Sequence, residues 1–385
     1  MNINIDALSI YIEENEIQAI CNSVENVLRS RIKWTNSDYC RLVEEEMRKI
    51  TQINYASVVS SGSTALESIL IGLDIKNTVI FAPVLTAPPT IVSCLNCDSD
   101  IVLVDADSRN FAMSAEHLEK MIKKYYVPSK YKKKGAIILV HIGGIITQDI
   151  EKIVNIAKKY DLYLIEDCAH AHGSFYMNKS AGDFGDAAAF SFFLTKTVTS
   201  GEGGVIVSAN KELISKINMI RNYGKDAQGL HVIRGSSWRM NEFTACVLYH
   251  VLQNFPQRQK LRQSIASYYA EFIINPIFVP IMWPSSNVSG YYKYILPVAG
   301  KYKGFCYDFF EEYMRNNGVQ LPAKVYTRLI VEEPFLKSCD RIKNIADDFV
   351  TASLIKNMHI CLPIYESLTI DQIKHIVDAV NDFSI

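Results

Sequence analysis

The sequence predicts an α/β protein: a large domain built on a mostly parallel, seven-stranded sheet, followed by a smaller α+β domain. Three observations carry this. Short β-branched runs recur along the first part of the chain with helical stretches between them. Those runs are continuously apolar instead of alternating, which marks strands buried on both faces. After about residue 245 the pattern changes to a long helix and then proline-punctuated strands.

The seven runs are ASVVS at 56–60, VIFA at 79–82, IVLV at 101–104, AIILVH at 136–141, LYLIE at 162–166, AAAFS at 187–191 and GVIVS at 204–208. Intervening stretches such as QDIEKIVNIAKKY at 148–160 have helical spacing, so strands and helices alternate around a parallel sheet. Beyond the sheet, residues 248–272 read as a helix broken near Pro256. Strands follow around 278–283 and 291–296, with closing helices around 307–317 and 370–383. The expected domains are 1–245, a large cofactor-binding α/β unit, and 246–385, a small α+β unit.

Composition narrows the function. The 385 residues are 49% hydrophobic, enough for a sizeable core, and 40 basic residues nearly balance 41 acidic ones. A formal charge of -1 gives no electrostatic case for nucleic acid or an anionic membrane surface. No uncharged apolar stretch is long enough to span a bilayer, and the acidic N-terminal segment does not read as a signal peptide. Nine scattered cysteines, an odd number, suit reduced thiols in the cytoplasm. Cys94 and Cys97 form a CxxC, but no second pair or histidine cluster accompanies it, so it reads as two incidental thiols in a helix.

Ligands of open α/β sheets bind beyond the carboxyl ends of strands. Three strand ends here carry chemistry. The first run leads into Ser60-Ser61-Gly62-Ser63-Thr64, small residues opening a helix, which suit an anion as well as an ordinary N-cap. LYLIE leads into Asp167, a carboxylate at the end of an apolar strand that needs a cationic partner unless it merely caps a turn. AAAFS leads through Phe192-Phe193-Leu194 to Lys196 and the turn Gly201-Glu202-Gly203-Gly204. His170 and His172 stand two residues apart, a poor metal-ligand spacing on a helix, and no metal is expected. A phosphate loop, a buried Asp and a Lys together suit pyridoxal 5'-phosphate: the amine condenses with its aldehyde, the carboxylate holds its pyridine nitrogen protonated, and the freed amine moves a proton. The apolar run before Lys196 is expected to keep that amine poorly solvated.

The segments SSGSTAL (60–66), IEDCAHAHGSFY (165–176), GDFGDAAAFSFFLTKTVTSGEGG (182–204), Ile220 to Gly224 and Trp238 to Glu242 resemble the DegT/DnrJ/EryC1/StrS family of sugar aminotransferases over nearly the whole chain. The resemblance implies the fold-type-I architecture of pyridoxal-phosphate enzymes, similar to aspartate aminotransferase. It implies Lys196, Asp167 and His170 as catalytic residues, His170 lying at the cofactor ring near its phenolic oxygen. Gly62, Ser63 and Ser191 would hold the phosphate, joined by Ser237 of the partner subunit in a homodimer with shared sites. The implied reaction moves an amino group from an amino acid, taken as glutamate, through pyridoxamine 5'-phosphate to a nucleotide-linked keto-deoxysugar for surface polysaccharide or capsule synthesis. A smaller keto substrate such as a keto phosphate, a related sugar dehydratase, or a non-catalytic regulator on the same fold are the alternatives. The dehydratase branch replaces the lysine by histidine, and Lys196 is present. Three positions depart from the family pattern. Ala87 stands where a ring-stacking aromatic is usual, Ser237 where an asparagine is usual, and Ile142-Gly143-Gly144 where a bulkier segment is usual.

Overall fold

The computed structural model describes residues 4–127, 131, 133–281, 287–302 and 304–384. Two amphipathic helices, α1 (Glu14–Ser30) and α2 (Asp38–Thr51), precede β1 (Tyr55–Val59) and α3 (Gly62–Gly72). Then come β2 (Val79–Pro83), α4 (Pro88–Leu95), β3 (Asp100–Val104), α5 (Ala115–Tyr125), β4 (Ala136–Val140), α6 (Ile150–Lys159) and β5 (Tyr163–Asp167). Two short strands, β6 (Phe175–Tyr176) and β7 (Lys179–Ser180), lead to β8 (Ala187–Ser191), β9 (Gly204–Ser208) and α7 (Lys211–Ile220).

The seven expected strands form one sheet in the order β1-β9-β8-β5-β4-β2-β3. Only β9 runs against its neighbours, pairing antiparallel with both β1 and β8. Alternate residues of each strand feed different cores. Val58, Phe81, Ile137, Leu164 and Val205 face one layer, and Val59, Ile80, Ile138, Ile165 and Ile206 the other. Helices cover both faces, which is why the strands read as unbroken apolar runs. Because β1, β5 and β8 run the same way, the residues that follow them reach one edge of the sheet. Asp167 pairs with Ala189 across β5 and β8, so Ser191 lies just beyond it on the adjacent strand.

The rest of the chain begins with α8 (Glu242–Phe272), then β10 (Asn287–Val288), β11 (Tyr294–Pro297), α9 (Tyr307–Asn316), α10 (Val350–Asn357), β12 (His359–Leu362) and α11 (Ile370–Asp382). The expected helix at 248–272 starts earlier and is not broken. Asn241 caps it by accepting from the Thr244 amide at 2.9 Å, and Pro256 lies inside a continuous helix. Proline removes one backbone donor, but packing against α1 and α2 and the ion pair of Arg258 with Glu16 hold the helix on either side. The strand expected at 278–283 is reduced to an antiparallel bridge between Phe278 and Val298, and residues 282–283 lie outside the described residues. β11 instead pairs antiparallel with β12. A third core draws Ile5 together with residues from 265–383, so the N-terminal segment packs with the C-terminal elements. Among the described residues no helix is long and apolar enough to cross a membrane.

Candidate active site

A cavity of about 470 Å³ opens at the shared strand edge, lined by Gly62, Ser63, Asp167, His170, Ser191 and Lys196 among others. One end of the cavity is a helix N-terminus, a setting suited to an anion. Ser61 caps α3 by accepting from the Thr64 amide at 3.2 Å, and Thr64 reciprocates to the Ser61 amide at 3.0 Å. The first amides of α3, at Gly62 and Ser63, have no partner within the helix, and both residues line the cavity at the positive end of the helix dipole. Gly62 is required for the approach to β8: a Cβ there would lie 2.7 Å from the Ser191 Cβ and 3.1 Å from its Oγ. The cap and this end of the cavity are one feature.

Asp167 ends β5 and is almost fully buried. Its Oδ1 accepts from the Ala169 amide at 3.1 Å and its Oδ2 from the Thr90 hydroxyl at 2.9 Å. Both donors are neutral, and burial wins: the carboxyl is pushed above the ordinary aspartate range, opposed by these bonds and by the charges of Lys196 and His141. A cation arriving in the cavity would offset that desolvation and favour the charged form.

Lys196 follows a turn closed by its own amide to the Phe193 carbonyl at 2.9 Å. Burial pushes its amine down to about 8, with the Asp167 charge acting in the opposite direction. The expected apolar run divides here. Phe190 and Phe192 enter the core, while Phe193 and Leu194 turn outward at 43% and 50% exposure. The amine is instead sheltered by Tyr292, whose ring centroid lies 4.7 Å from Nζ. His170 also stacks on Tyr292, at 4.0 Å and 16°. Gly143 and Gly144 hold φ of +67° and +90°, and the Gly143 amide donates to His170 Nδ1 at 3.3 Å. Burial keeps this imidazole neutral, its pKa well below the ordinary histidine value. With Nδ1 accepting, the proton sits on Nε2, which is left as a donor.

Ser237 does not line the cavity of its own chain. It accepts from Arg239 at 3.0 Å, next to a second cavity of about 530 Å³ lined by Arg234, Ser236 and Trp238. His141, Glu166 and Cys168 cluster within 4.8 Å, but the Glu166 oxygens are already taken by His141 and by the amides of Gly182, Phe184 and Gly185. The trio therefore reads as a buried lock between β4 and β5. Cys94 lies in the last turn of α4, while Cys97 falls past its end instead of within the expected helix; both are buried free thiols with pKa values raised by burial. Sequence reasoning missed Thr90, Tyr292 and Tyr326, all of which line the cavity. Thr90 had a signal, its spacing of four residues from Thr86 at the start of a helix. The tyrosines arrive from segments more than 90 residues further along the chain and had none.

A helix N-terminus, a buried carboxylate and a lysine with a lowered pKa share one cavity at the edge of a mostly parallel sheet, and the family match makes the chain an aminotransferase. It belongs to the DegT/DnrJ/EryC1/StrS aminotransferase family, which it matches over residues 14–381. It is 31% identical to GDP-perosamine synthase of Escherichia coli O157:H7 over 62% of this chain and 65% of that one. It is 26% identical to UDP-4-amino-4,6-dideoxy-N-acetyl-beta-L-altrosamine transaminase of Campylobacter jejuni subsp. jejuni over 97% of this chain and 95% of that one. The fold is shared with S. venezuelae DesV, solved in complex with a ketimine intermediate, at a TM-score of 0.87 and 22% identity, covering 99% of this chain and 98% of that one.

Proposed function

We propose that this enzyme is a pyridoxal 5'-phosphate-dependent sugar aminotransferase that takes nitrogen from an amino acid, glutamate in our reading, and delivers it to a nucleotide-linked keto-deoxysugar used for surface polysaccharide. The observation that carries the reading is the meeting of Lys196, Asp167 and the Gly62–Ser63–Ser191 cradle in one cavity. These residues fit the cofactor. The α3 N-terminus suits its phosphate, the close approach that Gly62 permits brings Ser191 beside it, and the buried Asp167 suits a protonated ring nitrogen. Bound there, the cofactor supplies an aldehyde to take the amine and a ring to accept electrons from the substrate carbon.

The chain's own residues do the rest. Lys196, with an amine held near 8, is available as a nucleophile and as the base that moves the proton. His170 Nε2–H is the donor left for the phenolic oxygen, fixed by Gly143 behind it. Tyr292 packs against both the His170 ring and the Lys196 amine, which shelters them. The position of Ser237, outside its own cavity, supports a role in the site of a second copy in a homodimer. The relatives' printed activities, a GDP-perosamine synthase and a UDP-linked amino-sugar transaminase, support the sugar substrate class.

The test is the two half-reactions. The cofactor-loaded protein, mixed with glutamate alone, should release 2-oxoglutarate once per site and lose its yellow colour. Nucleotide-linked keto-sugars should then restore the colour, and small keto phosphates should not. Failure with every common amino donor would refute the aminotransfer. Restoration by a keto phosphate and by no keto-sugar would refute the acceptor.

A further inference from the structure

The segment that brings Tyr292 into the cavity is buckled to the sheet edge. Ser174, between β5 and β6, donates its hydroxyl to the Gly144 carbonyl at 2.7 Å and accepts from the Gly290 amide at 2.8 Å. Ser289 donates to the same carbonyl at 3.0 Å and accepts from the Tyr291 amide at 3.0 Å. Both serines are buried. Their two protons fill the two lone pairs of the Gly144 oxygen, and each hydroxyl oxygen takes one amide, so the buckle satisfies itself without water. Gly290 is needed at the crossing, because a Cβ there would collide with the His172 carbonyl.

Beyond the buckle, Tyr292 meets two site residues at once. Its ring stacks on His170 at 4.0 Å and lies 4.7 Å from Lys196 Nζ. Its hydroxyl shares a hydrogen bond with that of Thr195, the residue before Lys196, at 3.3 Å. The ring acts on the amine in two opposed ways. Its face attracts the ammonium, and its bulk keeps water away. At Lys196 the burial effect is the larger.

We propose that Tyr292 is a positioning residue that holds the Lys196 amine and the His170 ring together in one dry setting, and that the Ser174–Ser289 buckle keeps it there. Its consequence for catalysis rests on the cofactor reading above. The C-terminal part of the chain thereby governs two groups that the sheet edge supplies. The other ionisable groups that act on the amine are Asp167, Lys293, His170 and His172. Arg258 and Arg262, which border a small cavity on Lys196, are paired with Glu16 and Glu366. None of these is altered in the test, so a shift at Lys196 reports admitted water.

The test acylates the cofactor-free protein, with acetic anhydride for Lys196 and diethyl pyrocarbonate for His170, read by mass spectrometry. His117 on α5 is the control for general loosening. Tyr292→Ala should raise the pH midpoint of Lys196 by about one unit, a tenfold gain in proton affinity, and should speed acylation of His170 roughly 10-fold. Tyr292→Phe keeps the ring and should leave both unchanged. Ser174→Ala, outside the cavity, should shift both groups in the same direction by less. Added to Tyr292→Ala it should shift neither further. His117 should acylate at one rate throughout. An unmoved midpoint in Tyr292→Ala, a Tyr292→Phe shift as large as that of Tyr292→Ala, additive effects of Ser174→Ala, or a parallel rise at His117 would overturn the proposal. If Tyr292→Ala does not fold, Ser174→Ala decides alone: a shift at both groups supports the buckle and no shift refutes it. No cofactor is present, so these outcomes stand whether or not the cofactor reading survives the half-reaction test.

Discussion

Replacing Lys196 with methionine should make the cofactor-free protein more stable at pH 7 while abolishing its chemistry. Burial lowers the amine from the ordinary 10.5 to about 8. That drop corresponds to about 3 kcal/mol of cost for holding the ammonium in the fold. The sign follows from proton counting. Below pH 8 the amine is charged in both folded and unfolded chains, and the folded state bears the full cost. Between about 8 and 10.5 the folded protein releases the proton while the unfolded chain keeps it, so wild-type stability rises with pH through that window. Methionine carries no charge and has no such window. Denaturant unfolding of both proteins should therefore show Lys196→Met ahead by up to about 3 kcal/mol at pH 7, with the gap closing by pH 10.5. A variant no more stable than wild type at pH 7, or a gap independent of pH, would refute the desolvated lysine.

Three further outcomes follow from the geometry. Asp167→Asn removes the charge that helps Lys196 hold its proton, so the pH midpoint for modification of that amine in the cofactor-free protein should fall below about 8; an unchanged or higher midpoint would mean the two groups do not sense each other. Gly62→Ala places a methyl 2.7 Å from the Ser191 Cβ and should abolish phosphate binding by calorimetry, with Ser191→Gly in the same chain restoring part of it. Glu166→Gln breaks the buried pair with His141 and opposes an amide group to backbone donors. It should lower stability by about 3 kcal/mol in denaturant unfolding without altering the pH midpoint of Lys196.

Much of the fold was legible because its sheet is covered on both faces. A strand buried on both sides must be apolar at every position, so all seven strands stood out as short continuous runs. The helix at 242–272 was misread because Pro256 is a local signal and its outcome was decided by packing against α1 and α2. The apolar run before Lys196 does not act as a whole in keeping that amine poorly solvated. The turn at 193–196 sends Phe193 and Leu194 outward, and the shelter comes from Tyr292 instead.

The sequence by itself determined which strand-end residues meet in the cavity: Gly62 and Ser63 after the first strand, Asp167 at the fifth run, and Ser191 and Lys196 at the sixth. Parallel strands deliver their ends to one edge, so linear order was enough to place these groups together. Tertiary structure alone decided what surrounds them. Tyr292 and Tyr326 reach the cavity from the C-terminal part of the chain, and Gly143 fixes the His170 tautomer across a turn from another strand. Ring stacking and hydrogen-bond direction depend on distances of a few ångströms between segments far apart in sequence. No local pattern of residues encodes such distances; the packing of the C-terminal elements against the sheet edge sets them.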